Sequence, residues 1–440
     1  MLKSGMLGVG VSAKARAPLL ASPYPLLIRT SIALGLLAGF SLGLYLILGF
    51  GFGLPLSTGT PALIQAHGQI QALGFVTLFI MAVGVQLFPR FHGSRLDQPT
   101  WVSLGGLGLA GGVVLRALSQ PLPPSTVRGA ALLASALLEL AGAILAVGAF
   151  ARVFRHSVSP PSGGWAAVLP ATLGGSLFAA LLLNVYGSGL LAVGSPIVPL
   201  PQDEALLHLE LWGFAASMVL VVSGRVFPRF LLLRPSYGRL LQLSLVLWAA
   251  GNAAVPVSWL VAGQLPFVRA AAAAAQLLGA LLFVVGLRLY EMPLRASGTP
   301  HVTNPTRLWA RCAFGFLLSA AAIDLGVALA EAAGGGAAPF TSLSAARHAL
   351  AQGFLLPMII TMASRILPGY SGDMMRHPRL LAALVWTLLV GAALRSVPEL
   401  VGGYARGWGS LVGVGGTVGT LAFVVFGVGL WRATGRGPRA

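Results

Sequence analysis

The stretch HGQIQALGF (67–75), which runs on to LFPRF (87–91), indicates the architecture, because the chain uses the same frame twice more. The later copies are HLELWGF with VFPRF (208–230) and HALAQGF with ILPGY (348–370). The Gly-Phe pairs recur at a nearly constant interval (213 − 74 = 139 and 353 − 213 = 140), and a proline follows each glycine at the same distance. A fixed period of this kind predicts three copies of one structural unit.

The composition predicts that lipid is the solvent of this unit. Of the 440 residues, 56% are hydrophobic and only 9% are charged, whereas a soluble domain has about 25% charged residues. The 58 glycines suit helices that approach each other closely in a bilayer, where packing rather than hydrophobicity drives association. The sequence therefore predicts an all-α polytopic membrane protein.

Twelve apolar stretches are long enough to cross a bilayer, which takes about 20 residues each. The predicted spans are residues 27–50, 61–88, 101–118, 127–152, 166–190, 204–227, 239–262, 267–290, 308–332, 344–367, 380–397 and 408–431. Each period thus holds four spans, with repeats at about 27–155, 166–295 and 308–435 in a single membrane domain of residues 1–440. The repeated frame lies on the second, sixth and tenth spans.

The arginines predict the orientation of these spans. Most of them lie in alternate turns and in the C-terminal tail, so the positive-inside rule places both termini in the cytoplasm. The net charge of +18 is spread over short loops between spans, which does not favour a nucleic-acid partner. We expect a multi-pass protein of the cytoplasmic (inner) membrane of a prokaryote, whose oligomeric state the sequence leaves open.

Three histidines stand near the start of the repeated spans: His67, His208 and His348. His208 and His348 precede their glycine by five residues, but His67 precedes Gly74 by seven, and Gln69 takes the equivalent position. A lone histidine there would suggest an interhelical hydrogen bond. Three on repeat-related helices favour a ligand role, because imidazole binds haem iron and copper.

Other polar residues within the spans have two interpretations. Glu139, Asn184, Asn252 and Asp324 are expected to form interhelical hydrogen bonds, and a proton path is the alternative.

Three arginines are predicted on the opposite side of the membrane from most of the others, the side on which the three histidines lie: Arg347, Arg395 and Arg406. They are candidates to bind haem propionates, since arginine binds carboxylates bidentately, and lipid phosphate is the equal alternative.

Twelve spans in three arcs of four, with histidines on the second, sixth and tenth, resemble the fold of subunit I of the haem–copper oxidases. The wording of the motifs is closer to the NnrS family of membrane proteins. The stretch Arg347-His348-Ala349-Leu350 with Gly353-Phe354 and Arg365-Ile366-Leu367-Pro368 resembles the late motif of that family. The stretch from His67 to Pro89-Arg90-Phe91 resembles its early motif. These motifs, a minor part of the chain, carry the likeness.

The resemblance implies a haem- and copper-containing protein that relieves nitric-oxide stress. His67 and His348 would correspond to the low-spin haem ligands of the oxidases, with a b-type haem expected here, and His208 to the first copper ligand. The chain departs from the oxidases because residues 239–262 contain no histidine and the tenth span has only His348. No complete binuclear centre is therefore expected. Glu210 is a candidate to join a non-haem metal site, or is an interfacial carboxylate.

The leading hypothesis is a haem-binding membrane protein of the NnrS type, with copper binding left open, whose partners are the bilayer and nitric oxide or another small gas. An enzymatic role would be that of a haem-dependent oxidoreductase acting on nitric oxide. One alternative is a transporter or channel without a cofactor, for which internal repeats are common. The other is an assembly or scaffold partner of a respiratory complex that keeps the oxidase fold without its chemistry.

Overall fold

The computed structural model describes residues 19–158, 165–261, 266–292, 305–336, 339–367, 377–405 and 407–435. In these ranges the chain forms twelve long apolar helices and no β-strand, so it is a multi-pass helical membrane protein. The helices are α1 Pro23–Phe52, α2 Thr60–His92, α3 Pro99–Ser119, α4 Thr126–Arg155, α5 Trp165–Ala192, α6 Leu200–Phe230, α7 Gly238–Leu260, α8 Pro266–Leu287, α9 Pro305–Ala332, α10 Phe340–Ile366, α11 Pro378–Gly402 and α12 Trp408–Gly435.

The predicted number and order of the spans are confirmed, including the two shortest, which correspond to α3 and α11. Most helices extend a few residues beyond the predicted apolar stretch. Proline occupies one of the first two positions of α1, α2, α3, α6 and α11, where its missing N–H costs no hydrogen bond. Left-handed glycines end α1 and α2, at Gly53 (φ 73°) and Gly93 (φ 59°), as is usual at helix C-termini.

The repeated frame marks the three central helices. In α2, α6 and α10 the most apolar windows are 72%, 78% and 72% buried, against at most 56% in the other nine described helices. These three helices jointly line an apolar cavity of about 60 Å³. The remaining helices surround them, so the side chains of α2, α6 and α10 face protein rather than lipid.

Glycines set the spacing between consecutive outer helices. A Cβ atom built on Gly105 of α3 would lie 2.5 Å from the carbonyl oxygen of Gly142 in α4. Similar approaches occur between α7 and α8 and between α11 and α12, at Gly251–Ala272 (2.8 Å) and Gly391–Gly415 (3.1 Å). Close backbone approach of this kind is how helices gain packing energy in lipid.

Each central helix contains a π-helical segment. It begins directly after Gln69 in α2, His208 in α6 and His348 in α10. The segments are Ile70–Thr77 in α2, Leu209–Ala216 in α6 and Ala349–Leu355 in α10. Their starts recur at the same intervals as the Gly-Phe pairs (209 − 70 = 139 and 349 − 209 = 140). A π-helical turn shifts the faces of a helix relative to one another and is often found at functional sites.

Candidate functional site

A cavity of about 190 Å³ opens between α1, α2, α6 and α10, with two residues contributed by α12 and single residues by α11 and the loop that follows it. It is larger than the central apolar cavity and than a third cavity of about 30 Å³. Four of the predicted site residues line it: His67, His348, Arg347 and Arg395. Apolar side chains of α1 and α2, among them Phe40 and Phe75, form much of the wall. We call this space the histidine cavity.

His67 is held in one orientation by α1. Its Nδ1 lies 2.9 Å from the carbonyl oxygen of Gly39, and because a carbonyl only accepts hydrogen bonds, Nδ1 must carry the proton. Gly43, one turn further along α1, lies against the other side of the ring, where a Cβ atom would come within 2.6 Å of Cε1. Among the described residues Nε2 has no hydrogen-bond partner, so its lone pair is free.

His348 has the same arrangement on α10. Its Nδ1 lies 2.8 Å from the carbonyl oxygen of Ser344, one turn earlier in the same helix, and 3.3 Å from the Ser344 hydroxyl. Its Nε2 is likewise without a partner in the part of the chain that the structure describes. Histidines that bind metal usually donate the other ring N–H to a carbonyl or carboxylate, which fixes the tautomer. Both imidazoles meet this condition.

Of the two candidate residues in the first copy, His67 and Gln69, only His67 faces the histidine cavity. Gln69, the counterpart of His348 by sequence frame, points away from it and donates a 3.2 Å hydrogen bond from Nε2 to Glu210 Oε1 of α6. His67, two residues earlier, enters the cavity instead. Residues two apart on a helix do not share a face, so only one of the two can reach this space.

Arg347 and Arg395 both line the histidine cavity, but each already has a carboxylate partner in the chain. Arg347 is paired with Glu204 of α6, and Arg395 with Glu399 one turn along α11. The Tyr404 hydroxyl donates to the same Glu399 carboxylate. Burial raises the pKa of Tyr404 to about 12. Arg406, the third predicted arginine, lies outside the described residues.

His208 does not enter the histidine cavity. Its ring is stacked on Trp212 with centroids 5.7 Å apart, and its Nε2 lies 3.4 Å from Nε2 of Gln276 in α8. It lines the 30 Å³ cavity, together with Glu204 and Asp324. The position that would hold the first copper ligand in the resemblance therefore lies at a different cavity from the pair His67 and His348. Leu207, Leu211 and Arg347 line both cavities, so the two spaces are adjacent.

Glu210 does not face the same side of α6 as His208, because the two residues are two positions apart on this helix. It is 1% exposed, so it is not an interfacial carboxylate. The predicted metal set of His67, His208, His348 and Glu210 is thus distributed over three places. In the described ranges no group of three His, Cys, Asp or Glu side chains is placed to hold one metal ion.

Two glutamines of the histidine cavity were missed by the sequence analysis. Gln71 and Gln352 follow His67 and His348 by four residues, and both line the cavity. Gln352 donates a 3.2 Å hydrogen bond to the carbonyl of Gly415 in α12. A shared His-x-x-x-Gln spacing on the second and tenth spans was the signal that could have identified them, since residues four apart lie on one helix face.

No protein-family model matches the chain, and a search of curated proteins finds no relative of it. The fold and the site define a class: a multi-pass helical membrane protein with a cavity lined by two histidines, each with an Nε2 atom that has no hydrogen-bond partner among the described residues. Any further assignment must depend on the chemistry of that cavity.

Proposed function

We propose that this protein binds a haem in the histidine cavity, where Nε2 of His67 and Nε2 of His348 would hold its iron. The observation that carries the proposal is the shared state of the two imidazoles. Each has Nδ1 fixed by a backbone carbonyl and a free Nε2 at the same cavity. Neutral imidazole nitrogens oriented in this way are common haem-iron ligands.

The surrounding residues have definite roles in this proposal. The carbonyls of Gly39 and Ser344 hold the rings in orientation and increase the basicity of Nε2. Phe40 and Phe75 supply apolar wall, which excludes water and lowers the local dielectric. The guanidinium groups of Arg347 and Arg395 have five N–H donors each, so pairing with one glutamate leaves donors for the carboxylates of a haem. In this proposal Glu204 and Glu399 keep those arginines oriented.

A haem bound there would supply one-electron redox chemistry. With His67 and His348 both holding its iron, the haem would favour electron transfer over turnover at an open iron site. Together with the NnrS-like motifs, this supports a role in the nitric-oxide response, with a b-type haem and nitric oxide as the small gas. Copper has no supporting cluster among the described side chains, so the proposal concerns haem alone.

The architecture supports the likeness to the oxidase subunit. α2, α6 and α10 are the central helices, and their π-helical segments recur with the period of the sequence frame. The two histidines of the cavity lie on α2 and α10, and Asp203, Leu207 and Leu211 of α6 contribute to its wall. The proposed location is the inner membrane with both termini in the cytoplasm, which is based on the arginine distribution.

The test is an optical spectrum of the purified protein, oxidised and reduced, with a pyridine haemochrome assay. Protein made under haem-replete conditions should show a low-spin spectrum, and His67→Ala and His348→Ala should each abolish it. His208→Ala is the matched control, because His208 is a buried histidine on a repeat-related helix but lines a different cavity. It should retain the full haem content.

Two results would contradict this proposal. Wild-type protein without haem would move the chain to the cofactor-free classes, a transporter or a scaffold of a respiratory complex. Loss of haem in His208→Ala, with retention in His348→Ala, would place the ligands elsewhere. Substrate flux that persists when His67 and His348 are both replaced by alanine would favour a transporter. Loss of a respiratory enzyme when the gene for this protein is deleted would favour a scaffold.

A further inference from the structure

A buried polar cluster lies on the opposite side of α2 from the histidine cavity. It contains Arg116 of α3, Glu139 of α4, Asn184 of α5, Glu210 of α6 and Gln69 of α2. Each of these side chains is at most 2% exposed. Neither a cofactor role nor the contacts of the histidine cavity account for it, and we call it the acidic cluster.

Hydrogen bonds between helices join the acidic cluster in two groups, Arg116–Asn184–Glu139 and Gln69–Glu210. Arg116 donates from Nη1 to Asn184 Oδ1, and Asn184 donates from Nδ2 to Glu139 Oε2. Gln69 donates to Glu210, and the charges of Arg116 and Glu139 act on the Glu210 carboxyl. The prediction of interhelical hydrogen bonds for Glu139 and Asn184 is confirmed by these contacts.

The cluster nevertheless lacks hydrogen-bond donors. Three of its oxygens are buried without a partner among the described residues: Glu139 Oε1, Glu210 Oε2 and Gln69 Oε1. Only one donor, Nη2 of Arg116, is left unpaired there. Buried polar atoms are usually satisfied, so three orphaned acceptors on three helices indicate that the site takes up something that can donate.

The charges indicate what is taken up. With both glutamates ionised, the acidic cluster would hold two negative charges against the single guanidinium of Arg116. Asp203, another carboxylate that acts on Glu210, is itself under the influence of the positive charge of Arg347. An uncompensated charge within a membrane domain is costly. One proton shared by the glutamates neutralises the cluster and supplies the missing donor.

We propose that Glu139 and Glu210 together hold one exchangeable proton and form a membrane-embedded proton-binding site. A chain of polar side chains leads to it from the loop between α5 and α6. Gln65 donates to the carbonyl of Val198 in that loop (2.8 Å), Gln120 donates to Gln65 (2.8 Å), and Arg116 donates from Nε to Gln120 (3.2 Å). These contacts connect the acidic cluster to the loop between α5 and α6. This site does not depend on the proposed haem.

The experiment is infrared spectroscopy of the full-length protein in H₂O and D₂O, with the carboxyl groups of its six glutamates isotopically labelled. The wild type should show a labelled, protonated carboxyl band at neutral pH that shifts in D₂O. Glu139→Gln and Glu210→Gln should each abolish it, because the remaining carboxylate is then balanced by Arg116. Glu291→Gln is the control, since a hydrogen bond from Arg288 holds the pKa of Glu291 below its usual range.

The wild-type spectrum alone can overturn the proposal, so a variant that fails to fold does not obscure the result. No protonated glutamate at neutral pH would refute it. A band that disappears when sodium is raised at fixed pH would also refute it, because the site would then bind a metal cation. Equal band intensity in the wild type and both Gln variants, all monodisperse in detergent, would show that the proton is elsewhere.

Discussion

Substituting Gly43 by alanine tests whether the close contact between α1 and His67 controls haem binding. Glycine inside a helix is less favourable than alanine by about 1 kcal/mol, so local helix propensity alone favours the substitution. At Gly43, however, the new Cβ would lie 2.6 Å from Cε1 of His67. Carbon atoms in contact are about 3.5 Å apart, so the imidazole must move by about 0.9 Å.

That displacement acts on a ring whose Nδ1 is fixed by a 2.9 Å hydrogen bond to Gly39. Disturbing an outer-shell contact of a metal-binding histidine typically lowers affinity 10- to 100-fold, which is about 1.4 to 2.7 kcal/mol. We therefore expect Gly43→Ala to weaken haem binding by this amount. The assay is absorbance titration of haem-free protein with haemin in detergent, with the thermal midpoint of the haem-free form measured in parallel.

Gly111→Ala is the matched control, because a Cβ atom on Gly111 of α3 would meet nothing within 4 Å. It should leave haem affinity unchanged and keep or slightly increase thermal stability. The reasoning is refuted if Gly43→Ala binds haem as tightly as the wild type. An equal loss of affinity in both variants would also refute it, since the effect would then not come from the contact with His67.

Two further predictions concern residues at the histidine cavity: the ion pair of Arg395 with Glu399, and Tyr404 beside it. Arg395 and Glu399 have side chains 7% and 0% exposed, so Glu399→Leu, which leaves a buried charge unpaired, should lower the free energy of unfolding by about 3 to 5 kcal/mol. Adding Arg395→Met should recover much of that loss in SDS or thermal unfolding, and strictly additive effects would contradict this. Because burial raises the pKa of Tyr404 to about 12 from about 10 when unfolded, its contribution is complete below pH ~10 and is lost by pH ~12. Tyr404→Phe should flatten the stability profile in that window, and an unchanged profile would exclude Tyr404 as its source.

The number of helices could be predicted, and three of them were marked by the repeated frame, because both depend on local composition and period. Apolar length alone specifies a span, and twelve such spans are present in the structure. The recurring glycine, phenylalanine and proline marked α2, α6 and α10. His67 and His348 were identified for the same reason, since imidazoles near the start of these helices are unusual in lipid.

The contacts between the repeats became visible only once the helices were packed. A helix that is apolar on all sides gives no periodic signal for its inner face, so the sequence could not show that His67 rather than Gln69 enters the cavity. His208 and Glu210 lie two positions apart on α6 and therefore have different neighbours. The partner of Arg347 is Glu204, which belongs to another repeat. A pair so distant in sequence has no local signature, because it exists only in the assembled bundle.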